Sequence, residues 1–214
     1  MTTDLDRVES TYRRLSSRWA WNALAIAGFG GWERSLRRRA VDHLELKPGD
    51  AALDVACGRG SNFPYLQRAV GAGGRIVGID YSPDMLAGAR DLVRTRGWSN
   101  VELVRADAAT VDYRAQFDGA LCTIAMSVIP RWREALRRMI DAMRPDKRIA
   151  IMDARRGREQ PVLARPFARL FAAVVAAEVD RDVPSECRRL LRDVREEPCM
   201  FGMYYVLSGQ AAHV

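Results

Sequence analysis

The sequence contains very little lysine and histidine. Two of its 34 basic residues are lysines, and its two histidines, His43 and His213, lie far apart in the chain. Few side chains are therefore available that titrate near neutral pH and could act as a general base. The arginines that make up the remainder are spread through the chain without a basic tract interleaved with aromatics. The net charge of +7 favours anionic partners in general, but this distribution predicts no nucleic-acid groove.

Paired cysteines and long apolar runs are also missing. The four cysteines form no Cys-x-x-Cys pair and have no histidine cluster beside them, so no metal site is expected. Cys57 and Cys122 are predicted to be small buried hydrophobes in a reducing cytoplasm. No apolar run reaches the ~18 residues of a membrane-spanning helix. The acidic start of the chain does not match a secretory signal.

The chain does contain a glycine turn between an apolar strand and a helix. Residues 53–60 run Leu-Asp-Val-Ala-Cys-Gly-Arg-Gly, and a second strand ends in Asp80. Glycine lets the backbone turn sharply and approach a ligand, and a carboxylate at the second strand can accept hydrogen bonds from ribose hydroxyls. A dinucleotide site would hold a third glycine where this chain has Phe63, and Asp54 would repel a pyrophosphate. A cationic, amino-acid-bearing ligand such as S-adenosylmethionine is expected instead.

Strands and helices alternate through the middle of the chain, which predicts a doubly wound α/β fold with parallel strands. We expect one domain, 1–214, made of an N-terminal helical cap (1–46), a cofactor-binding core (47–154), and a substrate-covering insert with a C-terminal hairpin (155–214). The predicted strands are 51–56, 75–80, 101–105, 117–123 and 148–153. Helices are predicted within 6–46, from Ser82, over 130–143, over 161–178 and in part of 188–195. A turn is expected over 144–147, and two further strands within 193–209, joined near Gly202.

Four stretches resemble, in order and spacing, the motifs of class I S-adenosylmethionine-dependent methyltransferases. They begin at Asp54, Gly78, Val101 and Phe117, and the likeness is close over about residues 45–154. The branch that the chain resembles is the ubiquinone/menaquinone methyltransferase-like group, which includes soluble phospholipid N-methyltransferases. The resemblance implies a Rossmann-like seven-stranded sheet that ends in an antiparallel hairpin, with the sixth strand at the edge. Pro198 fits that edge strand, because proline cannot donate to a central ladder.

The resemblance also implies where the cofactor lies. The methionine half of the cofactor would contact Asp54, Ala56, Gly58 and Gly60, and its carboxylate would contact Asn62. The ribose would bind Asp80. The adenine would lie against Tyr81, Met85, Asp107 and Ala108, and Thr123 would lie where the cofactor site meets the acceptor pocket. Several of these residues have a structural alternative: Asp54 and Asn62 as caps, Asp80 and Asp107 as solvated acids, and Met85 as plain core.

Substrate contacts are expected outside these motifs. Tyr12, in the leading helix, would close over the cofactor or merely pack, and Ser127 would touch the acceptor. The apolar residues of 161–178, with Arg165 and Arg169 among them, would cover a greasy substrate, rest on anionic lipid as a peripheral membrane contact, or pack on the sheet.

The sequence thus predicts a cytoplasmic enzyme that methylates a small hydrophobic acceptor: a lipid amine, a quinone precursor or a secondary metabolite. No catalytic base is assigned, which favours an amine or an easily ionised acceptor. The alternatives are an S-adenosylmethionine-binding partner subunit without turnover and a nucleic-acid methyltransferase, although the Asn/Asp-Pro-Pro-Tyr/Phe tetrad of the amino-methylating kind is absent at Thr123. Two positions depart from the family pattern: Arg59 stands inside the glycine turn, and Asp146 replaces a glycine before strand five.

Overall fold

The computed structural model describes residues 32–155 and 177–212, together with Leu5, Val8, Ser10, Thr11 and Arg13. Within these ranges, strands and helices alternate as the sequence predicts. The strands are β1 (Ala51–Val55), β2 (Arg75–Asp80), β3 (Val101–Arg105), β4 (Phe117–Thr123), β5 (Met143–Ala154), β6 (Leu191–Cys199) and β7 (Tyr204–Ala211). The helices are α1 (Glu33–Asp42), α2 (Phe63–Val70), α3 (Pro83–Arg96), α4 (Trp132–Asp141) and α5 (Val183–Leu190).

All seven strands form one sheet in the order β3-β2-β1-β4-β5-β7-β6. Strands β1 to β5 are parallel, whereas β7 runs antiparallel between β5 and β6. The predicted fold is confirmed, including the hairpin with its sixth strand at the edge. Pro198 lies in that edge strand, opposite Tyr205. The strand order reverses between β1 and β4, and ligands bind at this place in open α/β sheets.

The core lies on both faces of the sheet, because a parallel strand in this fold is covered by helices on each side. Leu53 and Val55 of β1 face one apolar cluster, and Ala52 faces the other. Strand β4 is buried along its whole length. No helix in the described part of the chain is both long enough and apolar enough to cross a bilayer.

Local signals in the sequence explain where helix α3 begins and ends. The Ser82 hydroxyl accepts a hydrogen bond from the Met85 N–H at 3.3 Å, and Pro83 occupies the first turn. The helix ends at Gly97, whose φ of 65° is left-handed, a conformation that glycine adopts without a Cβ penalty. The predicted start of this helix is confirmed.

The structure differs from the predicted elements in two places. A turn was expected over 144–147, but these residues lie inside β5. Met143 pairs with Phe117 of β4 and Arg148 pairs with Gly119, so the register shifts between these two pairs and residues 144–147 form an irregularity in the strand. Asp146 takes a φ of 59° there, and aspartate tolerates this conformation better than most residues. Helix α5 ends at Leu190, so that 191–195 are strand.

Some predictions concern residues outside the described part of the chain. These are Tyr12, His213, most of the helices within 6–31 and most of the helix over 161–178; the last two residues of the latter are described and are not helical.

Candidate functional site

A pocket opens at the carboxyl ends of β1, β2 and β4, where the strand order reverses. Eight predicted site residues line it: Ala56, Gly58, Asp80, Tyr81, Met85, Asp107, Ala108 and Thr123. Leu5 and Val8, together with residues of the loop between β4 and α4, supply apolar walls. The other predicted cofactor residues, Asp54, Gly60 and Asn62, lie near the pocket but do not line it.

The glycine turn and the acid of β2 form one hydrogen-bonded unit. The Asp80 carboxylate accepts the Gly58 N–H at 2.7 Å through Oδ2 and the Ser82 N–H at 2.9 Å through Oδ1. Burial raises the Asp80 pKa, and these N–H donors partly offset the increase. A carboxylate offers about four acceptor positions, so Asp80 retains capacity for the hydroxyls of a ligand.

The two glycines of the turn have different roles. Gly58 has a φ of +56°, and a Cβ built there meets no atom within 4 Å, so open space faces the backbone where a ligand would lie. Gly60 has a φ of +80°, and its Cβ would come within 2.6 Å of the Phe63 ring. Gly58 thus leaves room for a ligand, whereas Gly60 leaves room for the protein's own core.

Asp54 lies behind the pocket wall, fully buried. Its Oδ1 accepts a hydrogen bond from the Asn62 side-chain amide at 2.9 Å, while its Oδ2 has no partner within the described residues. Burial raises the Asp54 pKa to about 7, against the lowering effect of Asn62 and Arg37. An acceptor left without a partner in the interior is costly, and it is suited to a cation or a proton.

Asn62 occupies the N-cap position of α2, but its side chain makes no capping hydrogen bond. It turns inward instead, where Nδ2 donates to Asp54 and, at 2.9 Å, to the Thr123 hydroxyl. Its Oδ1 accepts a hydrogen bond from Arg37 at 2.8 Å. Of the two predicted roles, capping is not observed, and the amide is occupied within the protein.

Arg37 is a pocket residue that the sequence analysis missed. It is only 5% exposed, yet it lines the pocket. Its Nη1 donates to Asn62 and, at 2.5 Å, to Thr123 Oγ1, and its Nε donates to Glu33 at 2.7 Å. Helical spacing could have found it, because positions 37, 41 and 44 share a helix face, and Val41 and Leu44 are core residues.

The far end of the pocket is apolar, with polar groups at its rim. Met85 is buried, and Tyr81 lies under the Arg105 guanidinium at 5.8 Å from the ring centroid. Asp107 accepts the Ala109 N–H at 2.9 Å and pairs with Arg131 at 2.6 Å. Its carboxylate therefore fixes its own loop at the pocket edge.

Ser127 does not line the pocket but fixes the wall of the pocket from behind. Its hydroxyl and its N–H both donate to the buried Asp153, each at 2.7 Å. Arg181 Nη1 donates to the carbonyls of Met126, at 2.7 Å, and of Ile129. Asp153 and Arg181 thus hold residues 124–130, five of which face the pocket. The sequence pattern predicted no role for either residue.

Arg59 points away from the turn and lies against helix α3. A Cβ placed on Gly88 would collide with the Arg59 guanidinium. Its charge is thus directed outside the pocket, although Arg59 stands inside the glycine turn. All four cysteines are free and buried, as predicted for Cys57 and Cys122. His43 contacts Glu197 at 3.1 Å, and in the described ranges no histidine lines the pocket.

Comparison with known proteins shows which proteins the chain resembles. A family described as a methyltransferase domain matches residues 52–146. The 2-phytyl-1,4-naphtoquinone methyltransferase of Thermosynechococcus vestitus is 32% identical over 149 residues, which are 69% of this chain and 61% of that protein. The demethylmenaquinone methyltransferase of Shouchella clausii is 29% identical over 121 residues, 56% of this chain and 52% of that protein. The chain thus spans between half and two thirds of these curated relatives.

A solved structure shares the fold. The phosphoethanolamine N-methyltransferase 2 of Haemonchus contortus, in complex with S-adenosyl-L-methionine, superposes with a TM-score of 0.73 at 17% identity, over 93% of this chain and 46% of that one. The ordered motifs, the sheet and the sequence relatives agree. The chain is similar to the class I S-adenosylmethionine-dependent methyltransferases, with a methyltransferase domain matched over residues 52–146.

Proposed function

We propose that this protein transfers the methyl group of S-adenosylmethionine to a small hydrophobic acceptor of the quinone or quinone-precursor class. The observation that carries the proposal is one continuous pocket with Asp80 and the Gly58 turn at one side and the apolar residues of 124–130 at the other. The relatives named for naphthoquinone and menaquinone substrates support the acceptor class.

The described residues fit the cofactor. The open space at Gly58 admits a ligand close to the backbone, and Asp80 has acceptor capacity for ribose hydroxyls. Met85, Ala108 and Tyr81 offer apolar surface for adenine. When bound, the cofactor supplies an electrophilic methyl group on a sulfonium. An apolar pocket suits such a cation poorly unless acids lie near, and Asp80 and the buried Asp54 meet that need.

The protein's contribution to the reaction is positioning and exclusion of water. The loop of residues 124–130 presents Ile124, Ala125, Val128, Ile129 and Pro130 to the pocket. Holding two reactants at contact distance supplies effective molarities of about 10⁵ M or more in good cases. In the described residues no histidine faces the pocket, so an acceptor that ionises readily, such as a quinol, suits this site better than a weakly acidic alcohol.

Titration calorimetry with S-adenosylmethionine and with NAD tests the cofactor. We expect micromolar binding of the first and none of the second. Methyl transfer from radiolabelled cofactor is then measured with a demethylated naphthoquinol, with phosphoethanolamine and with a catechol. Transfer to the naphthoquinol alone supports the proposed acceptor class. Tight cofactor binding without transfer to any acceptor would favour a binding subunit and contradict the enzyme proposal.

A peripheral membrane contact suits a hydrophobic acceptor, and we keep it as part of the proposal. Its sequence basis, the apolar stretch with Arg165 and Arg169, lies outside the described residues. Co-sedimentation with anionic vesicles at low and at high salt measures this contact. Absence of binding at low salt would contradict it.

A further inference from the structure

Two large apolar side chains in the described part of the chain are strongly exposed: Trp32 at 61% and Phe201 at 69%. Trp32 stands directly before α1, and Phe201 lies in the turn between β6 and β7. That turn is held in place, because Arg155 Nε donates to the Gly202 carbonyl at 3.1 Å. Single exposed apolar residues are common on protein surfaces, so the position of these two relative to each other decides whether they matter.

The ion pairs between α1 and β6 show that the two exposed rings lie at the same edge of the molecule. Glu45 pairs with Arg195 at 3.3 Å, and Arg39 pairs with Glu197 at 3.5 Å. A step towards the start of α1 is therefore a step towards the end of β6. The seven residues from 39 back to 32 rise by about 10 Å, and the four from 197 to 201 by about 13 Å. Trp32 thus reaches the level of the hairpin tip.

This edge is also the one at which the pocket opens. Tyr204, the first residue of β7, pairs with Ala154, the last residue of β5. The hairpin tip, residues 200–203, therefore projects past the carboxyl ends of the parallel strands, where the pocket lies. Three strand spacings, about 14 Å, separate β4 from β6. A surface that touched both exposed rings would adjoin the mouth of the pocket.

The start of α1 also carries exposed cations. Arg34 and Arg38 are four residues apart, so they share a face of the helix. Both are exposed, and neither makes an ion pair within the described residues. The acids of this region, Glu33 and Glu197, are each engaged by basic side chains. Aromatic rings beside unpaired guanidiniums match an anionic lipid surface, where the rings lie at the level of the headgroups and the guanidiniums meet phosphates.

A second copy of the chain fits this edge less well than a bilayer does. A symmetric contact uses the same patch on both copies, so it would bring Arg34 and Arg38 of one copy towards the same residues of the other. Like charges that face each other across an interface are unfavourable. An anionic bilayer reverses this effect, because it attracts the same cations.

We propose that the edge formed by Trp32, Arg34, Arg38 and the hairpin tip binds an anionic bilayer surface, and we call it the basic aromatic edge. This inference rests on the proposed function for its purpose, since a hydrophobic acceptor dissolves in the bilayer. A pocket mouth held beside the lipid surface lets that acceptor enter without crossing water.

Co-sedimentation of the full chain with vesicles of phosphatidylglycerol and phosphatidylcholine tests the edge. We expect the wild type to bind at low salt and to be released at high salt. Phe201→Asn should bind at least fivefold more weakly, and asparagine tolerates the left-handed φ of 56° at this position. Arg34→Gln and Arg38→Gln should each weaken binding about fivefold, the effect of one basic residue near an anionic membrane. None of these residues lines the pocket, so calorimetric affinity for S-adenosylmethionine should not change.

Arg94→Gln is the matched control. Its side chain is 80% exposed in the last turn of α3, which leads into the amino end of β3 at the opposite edge of the sheet. It should bind vesicles as the wild type does. A polarity-sensitive fluorophore on Phe201→Cys should shift to the blue when vesicles are added, and one on Arg94→Cys should not. The four native cysteines are buried, so the label reports on the introduced thiol.

Three results would overturn the proposal. The first is wild-type protein that stays in the supernatant with anionic vesicles at low salt. The second is equal vesicle binding by the wild type and Phe201→Asn. The third is a wild-type dimer in analytical ultracentrifugation that Phe201→Asn dissociates, which would assign the edge to a second copy. The proposed function is judged separately: vesicle binding through this edge without S-adenosylmethionine binding would support the edge and contradict methyl transfer.

Discussion

The carboxylate of Asp80 accepts the backbone N–H of Gly58 at 2.7 Å. An acid at the end of β2 therefore closes the glycine turn that follows β1, and the ribose site and the turn form one unit before any ligand binds. A preformed site loses less conformational entropy on binding. The same contact means that Asp80 contributes to stability as well as to ligand affinity, so its substitution affects both.

Replacing Asp80 should weaken every ligand that contains adenosine. Asp80→Ala removes the acceptor of two N–H groups and should lower the free energy of unfolding by about 2 kcal/mol. Asp80→Asn keeps one acceptor oxygen, so its free energy of unfolding should fall by less. Both should bind 5′-methylthioadenosine at least tenfold more weakly than the wild type in calorimetric titrations. Unchanged affinity in a folded Asp80 variant would contradict the ribose assignment.

Alanine at the two turn glycines should separate binding from stability. Gly60→Ala places a Cβ within 2.6 Å of Phe63 at a φ of +80°, so we expect a loss of about 2–4 kcal/mol in urea unfolding. Gly58→Ala meets only open space and should cost about 1 kcal/mol through its φ. Its methyl group projects towards the ligand, however, and calorimetry should show a marked loss of affinity. A larger loss of stability in Gly58→Ala than in Gly60→Ala, or a larger loss of ligand affinity in Gly60→Ala than in Gly58→Ala, would be inconsistent with these roles.

Asp54 should make stability depend on pH in a defined direction. Its folded-state pKa of about 7 lies above the ordinary value of 3.8, so the folded state holds the proton more tightly. Stability therefore falls as pH rises from about 4 through 7, by on the order of 4 kcal/mol from this group. Asp54→Asn keeps the oxygen that Asn62 bonds. We expect the variant to exceed wild type in urea unfolding at pH 8, with the difference shrinking towards pH 4. A difference in stability between Asp54→Asn and wild type that does not change with pH would contradict burial as the cause of the raised pKa.

Arg181 should control the pocket wall from behind. Arg181→Met deprives the carbonyls of Met126 and Ile129 of their donor, and we expect a loss of about 2 kcal/mol with faster hydrogen exchange over residues 124–130. Arg181→Lys should recover part of the protection, because one nitrogen serves both carbonyls. Arg189→Met, which breaks only an exposed ion pair with Glu186, is the control. Equal rates of hydrogen exchange over residues 124–130 in Arg181→Met and in the control would contradict the role of Arg181 in holding this loop.

The fold was predictable from local signals, because each one acts within a few residues. The apolar runs located β2, β3 and β4 to the residue, and Ser82 with Pro83 marked the start of α3. The bulge at Asp146 was not foreseen, since it depends on how β5 pairs with β4. The sequence pattern of one strand carries no information about how that strand pairs with its neighbour.

The site was predictable only where the motif itself supplies the contact. Asp80 and Gly58 lie in the motifs, and they line the pocket. Arg37 and Arg181 reach the site from α1 and from the segment after residue 176, so their roles follow from tertiary packing. Ser127 was predicted to touch the acceptor, but its hydroxyl is turned away towards Asp153. The direction of a side chain depends on partners that lie far along the chain.

The Phe63 ring occupies the space that side chains at Gly60 and Gly78 would need, with closest approaches of 2.6 and 2.7 Å. A single aromatic residue on α2 thus dictates the size of residues in both the turn and strand β2. In evolutionary terms, positions 63 and 78 should vary together. Homologues that keep a bulky ring at 63 should keep glycine at 78, whereas a small residue at 63 leaves the Cys57 sulfur, at 3.0 Å, as the nearest obstacle to alanine at 78.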